Sequence, residues 1–462
     1  MKLKKYSRST YAILFAIPIM LCLLSVSCKK DFLDKKPDKA LLVPTTVQDF
    51  QALLNNLTIM NAAPSLNMIA GDEFLLPDDA LEYLDISEAN SYTWEPFSSE
   101  RLLDWETPYQ QVFYANIILE GVDKLPNDPA TQSQRNQLKG NALFFRARAF
   151  YNLAQEFSKP YTKASASTDQ GIPLRLKSDV NIKSVRASVQ QTYDQIITDL
   201  NTAKTFLPKK PALNTMASQL SVNALLSRMY LSMSDFTNAK KAADEYLTAD
   251  NQLIDYNTLS ASGVNPFPQS VATGNDEVVF YGDLISALFN FFSPYINPAI
   301  YNSFEQNDLR KSLLFVDDGT GNFSFIGDYT GFTYRLFGGL ATDEVYLNRA
   351  ECLARSNDLT AALKDLNLLL TNRYKTGTFT PIVSANADDV LARILLERRK
   401  ELIARGTRWS DLRRLNLEDK YKTTLSRVVK GKLVSLPPSD NKYVFAIPNN
   451  EISGSGIPQN PR

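Results

Sequence analysis

Residues 234–247, SDFTNAKKAADEYL, align without a gap on residues 357–370, NDLTAALKDLNLLL. The correspondence extends over four pairs of positions: Ser227 and Ala350, Tyr230 and Leu353, Ala239 and Ala362, Ala243 and Leu366. Small residues at these offsets let the two helices of a hairpin approach closely, and the spacing is that of tetratricopeptide repeats. We interpret the two segments as copies of one repeat, with two unrelated amphipathic hairpins as the alternative. The copies are too far apart for a continuous solenoid.

Helical periodicity extends outward from these copies and predicts a mainly helical fold. The repeat core is expected mainly in residues 105–250 and 342–415. A short amphipathic helix is also expected from Thr46, with Phe50, Leu53, Leu54 and Leu57 on one face. The longer predicted helices are Trp105–Leu125, Ser133–Phe157, Val189–Phe206, Ala217–Met233, Asp235–Ala249, Thr342–Arg355, Leu359–Tyr374 and Asp388–Arg405.

Two long segments, residues 60–104 and 251–341, interrupt the helical pattern. Both are rich in aromatic residues and proline, and long irregular segments of this kind are usually functional. Residues 278–281 resemble a strand. A hairpin is predicted from 313–316 to 323–325, around the turn DDGTGN at 317–322. That turn lacks the ligand spacing of a calcium-binding loop, so we interpret it as structural.

The amino terminus has the three-part layout of a secretory signal. Four basic residues (Lys2, Lys4, Lys5 and Arg8) precede an apolar stretch, and small residues lead into Cys28. A cysteine in this position indicates a bacterial lipoprotein, with residues 1–27 removed and Cys28 acylated. An ordinary signal peptide is the alternative. A membrane-spanning helix is disfavoured, because the apolar run is shorter than the ~20 residues that a bilayer requires. Residues 28–48, charged and interrupted by prolines, are expected to be a tether.

Composition excludes several classes of function. The chain has no histidine, so Ser-His-Asp and Cys-His catalytic sites and histidine-containing zinc sites cannot form. Basic and acidic residues number 50 each, and removal of the leader takes away four basic residues. The remaining chain has no net positive charge, which disfavours nucleic-acid binding. No phosphate-binding or dinucleotide motif is present, so no cofactor is expected. The composition does not exclude catalysis by carboxylates alone, such as that of glycosidases.

Four segments, in this order, resemble the SusD/RagB lipoproteins of Bacteroidetes. They are CKKDFLD (28–34), GNALFFRARAFYNL (140–153), ERRKELIARGTRWSDLRR (397–414) and FAIPNNEI (445–452) with QNP (459–461). Two details depart from the family pattern: SGSG at 453–456 replaces an Asn-Pro, and Ser25 stands where the lipobox leucine is usual.

The resemblance implies a SusD-like fold with about four tetratricopeptide-like helix pairs packed against an irregular half. It also implies a non-enzymatic outer-membrane lipoprotein that faces outward. Such a protein captures oligosaccharide for a SusC-like TonB-dependent transporter. Peptide cargo, as in RagB-like members, is the alternative within the family. A carboxylate-based hydrolase would need Asp72 and Glu73 or Asp78 and Asp79, and a pure repeat scaffold would leave the aromatic segments unexplained.

Aromatic side chains in the two irregular segments are the candidate ligand residues. The flat C–H face of a sugar ring packs on an aromatic ring, and flanking polar groups then fix its orientation. The candidates are Tyr92, Trp94, Phe292, Tyr295 and Tyr301, with Asp72 and Glu73 as acceptors for sugar hydroxyls. Core packing is the alternative for each aromatic, and it is the interpretation we favour for Trp105 and Trp409. Glu397, Arg398, Glu401 and Arg405 are interpreted as i,i+4 pairs on a helix that ends at Gly406.

Replacing Cys28 with alanine should release the protein from the membrane, because the variant lacks the thiol that carries the lipid. Fractionation of cells into membrane and soluble fractions measures this. Persistent membrane attachment of Cys28→Ala would contradict the lipid anchor.

Overall fold

In the computed structural model, both copies of the repeat fold into the same helical hairpin. Ser234 and Asn357, which the alignment equates, both adopt left-handed backbone conformations, with φ of 58° and 64°. The next residue caps the second helix in each copy. The Asp235 carboxylate accepts from the Asn238 backbone N–H at 3.1 Å, and that of Asp358 accepts from Ala361 at 3.2 Å. This shared turn geometry confirms the repeat.

The structure describes residues 44–97, 99–271, 274–292, 294–332 and 334–462; the side chains of Leu288 and Phe292 lie outside this description. Residues 1–27, Cys28 and most of the predicted tether therefore lie outside the described residues. Residues 46–462 cluster as one unit.

Helices make up most of the regular structure, so the mainly helical prediction is confirmed. They are α1 Val47–Leu54, α2 Leu57–Met60, α3 Leu66–Ala70, α4 Ile86–Thr93, α5 Leu103–Val122, α6 Gln132–Phe157, α7 Val189–Phe206, α8 Gln219–Ser232, α9 Phe236–Ala249, α10 Pro298–Tyr301, α11 Arg310–Leu313, α12 Thr342–Arg355, α13 Leu359–Thr371, α14 Ala387–Glu401, α15 Arg408–Leu415 and α16 Asn449–Ser455. The long helices pack in sequence, α5 on α6, α6 on α7, α8 on α9 and α12 on α13, and α9 also packs on α12.

The strands are short and form small separate sheets. They are β1 Ala62–Ala63, β2 Phe74–Leu75, β3 Gln170–Pro173, β4 Arg186–Ser188, β5 Val278–Phe280, β6 Asp283–Leu284, β7 Tyr295–Ile296, β8 Phe315–Asp317, β9 Phe323–Phe325, β10 Leu340–Ala341, β11 Leu425–Val429 and β12 Lys432–Leu436. The predicted strand at 278–281 and the predicted hairpin (β8–β9) are both present. Gly319 and Gly321, each with positive φ, form the turn of that hairpin.

One sheet joins the two irregular segments. It has the order β2-β7-β9-β8, and β2 from the first segment pairs antiparallel with β7 from the second. The sequence predicts no helix in the first segment, and this is wrong, because α3 and α4 lie within it. The α4 helix begins at the Asp85 cap, whose carboxylate accepts from the backbone N–H groups of Ser87 and Glu88.

The predicted i,i+4 pairing of Glu401 with Arg405 is wrong. Helix α14 ends at Glu401, and Arg405 binds Asp343. The Glu401 carboxylate instead contacts two arginines from distant parts of the chain, Arg310 at 2.9 Å and Arg373 at 2.7 Å. Gly406 does have the left-handed conformation expected of a terminator, with φ of +66°, but it lies beyond the helix.

These contacts belong to a buried ion network that joins the second irregular segment to α14. The Arg310 guanidinium also binds Asp308 at 2.7 Å and Glu397 at 2.6 Å, and the Arg373 guanidinium binds Glu277 at 2.9 Å. All these side chains are fully buried. A buried charge is tolerated only when it is paired, so the network fixes how the segment docks on the helices.

A second buried group of acids lies at the start of α3. The Asp104 carboxylate accepts from the backbone N–H groups of Ser65 and Leu66 at 2.7 and 2.8 Å, and Glu156 accepts from Asn67. Burial, followed by the charge of Asp104, raises the pKa of Glu156 well above its usual range. Burial raises the pKa of Asp104 to about 6.

Arg310→Met should lower the free energy of unfolding by about 3–5 kcal/mol, because three buried carboxylates lose their shared partner. Urea denaturation measures the change. The control is Lys240→Met, which removes the surface Lys240–Asp244 pair and should change stability little. Equal effects of the two substitutions would contradict the role given to the network.

Glu156→Gln should stabilise the protein increasingly as the pH rises above the usual glutamate pKa. The folded-state pKa of Glu156 is raised, so the wild type loses stability with rising pH, by up to ~1.4 kcal/mol per pH unit, until Glu156 ionises in the folded state. Glutamine does not titrate and escapes this loss. Glu351→Gln is the control over the same pH range. Burial raises the pKa of Glu351, but Arg414 and Arg355 together outweigh it and lower that pKa. This carboxylate is therefore ionised in both the folded and the unfolded protein above the usual glutamate pKa, and the effect of the substitution should not vary with pH there. Unfolding curves of the wild type and of Glu156→Gln at several pH values measure the difference in their free energy of unfolding. A difference that does not change with pH would contradict the raised pKa of Glu156.

Candidate functional site

Trp94 and Tyr92, two of the predicted ligand residues, are buried in the core. Trp94 is only 2% exposed, and its indole N–H donates to the Ala70 carbonyl at 2.9 Å. The Tyr92 hydroxyl accepts from the Leu76 backbone N–H at 2.9 Å. The guanidinium of Arg427 lies over both rings, 4.1 Å from the centre of Tyr92 and 4.3 Å from that of Trp94. Neither ring presents a face on which a sugar could pack.

The conformation of Trp94 follows from these contacts. Its φ of 56° is in the left-handed region, which a bulky residue adopts only when its surroundings impose it. The residue ends α4, and the following N–H of Glu95 returns to the Asn90 carbonyl at 2.9 Å. Trp94 is therefore a structural anchor between α4 and the end of α3.

Asp72 is paired with two arginines. Its carboxylate binds Arg408 at 2.7 Å and Arg399 at 2.8 Å. Burial opposes ionisation, but Arg408 and then Arg399 outweigh it and hold the pKa of Asp72 below its usual range. The carboxylate is thus committed to an ion pair within the protein.

Glu73 is fully buried beside Asp72. Burial, and after it the charge of Asp72, raises the pKa of Glu73 to about 8. Its backbone carbonyl accepts from Asn297 at 2.8 Å, which continues the contact between the two irregular segments. Neither acid of this pair is placed to receive a hydroxyl from a ligand in solvent.

Tyr295 and Tyr301 lie in the second segment and are both half-buried. Tyr295 is in β7, opposite Ser324 of β9. Tyr301 stacks on Phe323 with ring centres 3.7 Å apart, and the Lys311 ammonium lies 4.8 Å from its centre. The fifth aromatic candidate, Phe292, has its side chain outside the described residues.

A cavity of about 200 Å³ lies beside the β2-β7-β9-β8 sheet, and we name it the sheet cavity. Phe74, Phe325 and Leu336 form its apolar wall. Two aromatic side chains at this cavity are strongly exposed, Phe291 at 68% and Tyr334 at 85%. The first irregular segment contributes Phe74 and the second contributes the other residues named here, so the cavity lies where the two segments meet.

Polar groups and charge further define the sheet cavity. Ser286, Asn290 and Ser324 supply hydroxyl and amide groups next to the apolar wall. None of the described lining residues carries a charge. Uncharged polar groups beside aromatic faces suit a neutral, hydroxyl-rich ligand.

Phe291 and Tyr334 are not among the ligand residues that the sequence predicts. Phe291 stands in the aromatic-rich stretch FNFF at 289–292, so the sequence shows a possible ligand residue there. No periodicity distinguishes it from buried Phe289. Tyr334 stands in an irregular stretch close to buried Tyr329 and Phe337, where nothing in the sequence separates an exposed aromatic residue from a buried one.

The described part of the chain lacks both a cluster of metal-ligating acids or thiols and a membrane-spanning helix. It contains no group of three or more Cys, Asp or Glu side chains placed to hold a metal ion. None of its helices is both long and apolar enough to span a bilayer.

Two family models match the sequence. The model described as "Starch-binding associating with outer membrane" matches residues 31–231, and the one described as "SusD family" matches residues 342–461. Together they cover more than half of the chain. Neither describes an enzyme.

Curated relatives and solved structures agree with these matches. SusD-like protein P2 of Formosa agariphila is 24% identical over 397 residues, which are 71% of this chain and 74% of that protein. A SusD superfamily protein from Bacteroides thetaiotaomicron superposes with a TM-score of 0.73 at 22% identity, over 90% of this chain and 100% of that one.

Two other structures share the fold. A SusD-like carbohydrate binding protein from Bacteroides vulgatus has a TM-score of 0.68 at 19% identity, covering 89% of this chain and 97% of that one. A laminarin binding SusD-like protein has a TM-score of 0.62 at 18% identity, covering 90% and 99%. From the two family models and the fold, this chain belongs to the SusD/RagB family.

Proposed function

We propose that this protein binds oligosaccharide at the sheet cavity, without chemical conversion, as a lipoprotein on the outer face of the outer membrane. It then passes the ligand to a SusC-like TonB-dependent transporter. The observation that carries the binding proposal is the pair of exposed aromatic side chains, Phe291 and Tyr334, at an uncharged cavity.

Physical chemistry favours sugar as the ligand of this surface. Large exposed aromatic rings cost solvation free energy unless a ligand covers them, and sugar C–H faces are suited to do so. Hydroxyl and amide groups at Ser286, Asn290 and Ser324 would then exchange hydrogen bonds with sugar hydroxyls. Tyr295, which lies opposite Ser324 in the sheet, and Phe292, which follows Phe291 in the chain, stay part of the proposed site.

The family descriptions support the ligand class and the location. One matching model is described as starch-binding and associated with the outer membrane, and two structural neighbours are described as carbohydrate or laminarin binding. Acylation at Cys28 would supply the membrane attachment. The transporter partner is inferred from membership of the family.

Hydrolysis is disfavoured by the state of the acids that it would require. A glycosidase needs two carboxyl groups facing each other across the scissile bond. Asp72 is paired with arginines and Glu73 is sealed in the core. Asp78 is exposed, but its carboxylate accepts from the Lys430 backbone N–H at 2.8 Å.

The double substitution Phe291→Ala and Tyr334→Ala should weaken retention by immobilised neutral polysaccharide about 5- to 150-fold, because each stacked ring contributes about 0.5–1.5 kcal/mol. Affinity electrophoresis against a panel of polysaccharides measures retention, and calorimetry with oligosaccharide and peptide pools separates the two kinds of cargo. Tyr83→Ala is the matched control, since Tyr83 is 67% exposed but does not line the cavity. Unchanged retention of the double variant would reject this site, and binding of peptides alone would reject the ligand class.

A further inference from the structure

A second, larger cavity lies along β8, the edge strand of the four-stranded sheet, and we name it the edge cavity. Its volume is about 580 Å³, within the range typical of ligand pockets. Its lining includes Tyr301, Lys311, Ser312 and Lys375, and it shares no lining residue with the sheet cavity. It therefore forms a separate place at which a ligand could be held.

The edge cavity differs from the sheet cavity in its charge. Lys311 and Lys375 both line it, and among the described residues neither ammonium group forms an ion pair. Nearby basic side chains behave differently: Arg310, Lys400 and Arg393 are all paired with carboxylates. Two ammonium groups have thus been left without carboxylates in a region where other cations are neutralised.

The acids that line the edge cavity do not cancel this charge. Asp308 is buried and bound to Arg310 at 2.7 Å and to Lys400 at 3.0 Å. The Asp317 carboxylate accepts from the Gly319 backbone N–H at 2.8 Å and so stabilises the β8–β9 turn. With Asp308 neutralised, the two lysines outnumber the one remaining acid.

One of the lysines is also held in place. The Lys311 ammonium donates to the Phe304 carbonyl at 3.4 Å and lies over the ring of Tyr301, which is itself stacked on Phe323. Ser312, Asn307 and Gln306 also line the cavity and add neutral hydrogen-bonding groups to it. This combination matches an anionic group on a hydroxylated molecule.

We propose that the edge cavity binds an acidic sugar unit, carrying a carboxylate or a sulfate, of the oligosaccharide ligand. Lys311 and Lys375 would contact the anionic group, while Ser312, Asn307 and Gln306 would contact neighbouring hydroxyls. This proposal rests on the proposed glycan-binding function and adds to it a preference for glycans that contain an acidic unit.

Calorimetry with three oligosaccharides of equal length tests the proposal: one neutral, one containing uronic acid and one sulfated. The wild type should bind at least one acidic oligosaccharide roughly tenfold more tightly than the neutral one at low salt, and the preference should shrink at high salt. The arm that shows the preference identifies carboxylate or sulfate as the anion.

The substitutions Lys311→Met and Lys375→Met together should abolish the preference and leave the affinity for the neutral oligosaccharide unchanged. Lys311→Arg with Lys375→Arg should retain the preference, because both charges remain. The control pair Lys241→Met and Lys364→Met removes two lysines that do not line the cavity and should have no effect.

Three outcomes would overturn the inference. The first is equal affinity of the wild type for neutral and acidic oligosaccharides. The second is a preference for acidic oligosaccharides that persists in the variant with Lys311→Met and Lys375→Met. Either result would overturn this inference and leave the proposed glycan-binding function intact. Binding of none of the three oligosaccharides, together with no retention by any polysaccharide, would overturn the inference and the proposed function alike.

Discussion

The buried pairing of Arg310 and Arg373 with the acids of α14 is the constraint on which the rest of the structure depends. Removing these charges from water is costly, and only close pairing offsets that cost. Because Arg310 lies five residues before β8 and Glu277 lies beside β5, the pairing fixes where the second irregular segment meets the helices. The sheet and the two cavities beside it inherit their position from these contacts.

Arginines perform a related task elsewhere by binding backbone carbonyls instead of acids. Arg148, in the long helix α6, donates to the carbonyls of Ala62 and Gly338 at 2.9 and 3.1 Å, and so joins both irregular segments to the repeat core. Arg427, in β11, donates to the Gly71 carbonyl at 2.5 Å. Irregular backbone leaves many carbonyls without partners, and a guanidinium with five N–H groups can satisfy several of them at once.

Sequence was a good guide wherever local periodicity determines structure. Val189–Phe206 and Thr342–Arg355 have the predicted bounds, and Trp105 and Trp409 are in the core as expected. It was a poor guide where a residue's surroundings come from distant parts of the chain. The sequence predicts Trp94 as a ligand residue because it is aromatic and lies in an irregular segment. Such a position carries no sign of whether the side chain is exposed or buried. The partners of Glu401 are 28 and 91 residues away, which no helical spacing reveals.

The left-handed Trp94 also bears on how this protein can diverge. Trp94 combines an uncommon backbone conformation, an indole hydrogen bond and a stacked guanidinium. Few other residues can replace it, so a change of ligand preference does not arise from substitutions at this position. Phe291 and Tyr334 meet none of those conditions, because their side chains are mostly in solvent. Ligand preference can therefore drift at the cavity edge while the aromatic interior stays fixed, and paralogues with one fold and many cargoes become accessible through surface substitutions alone.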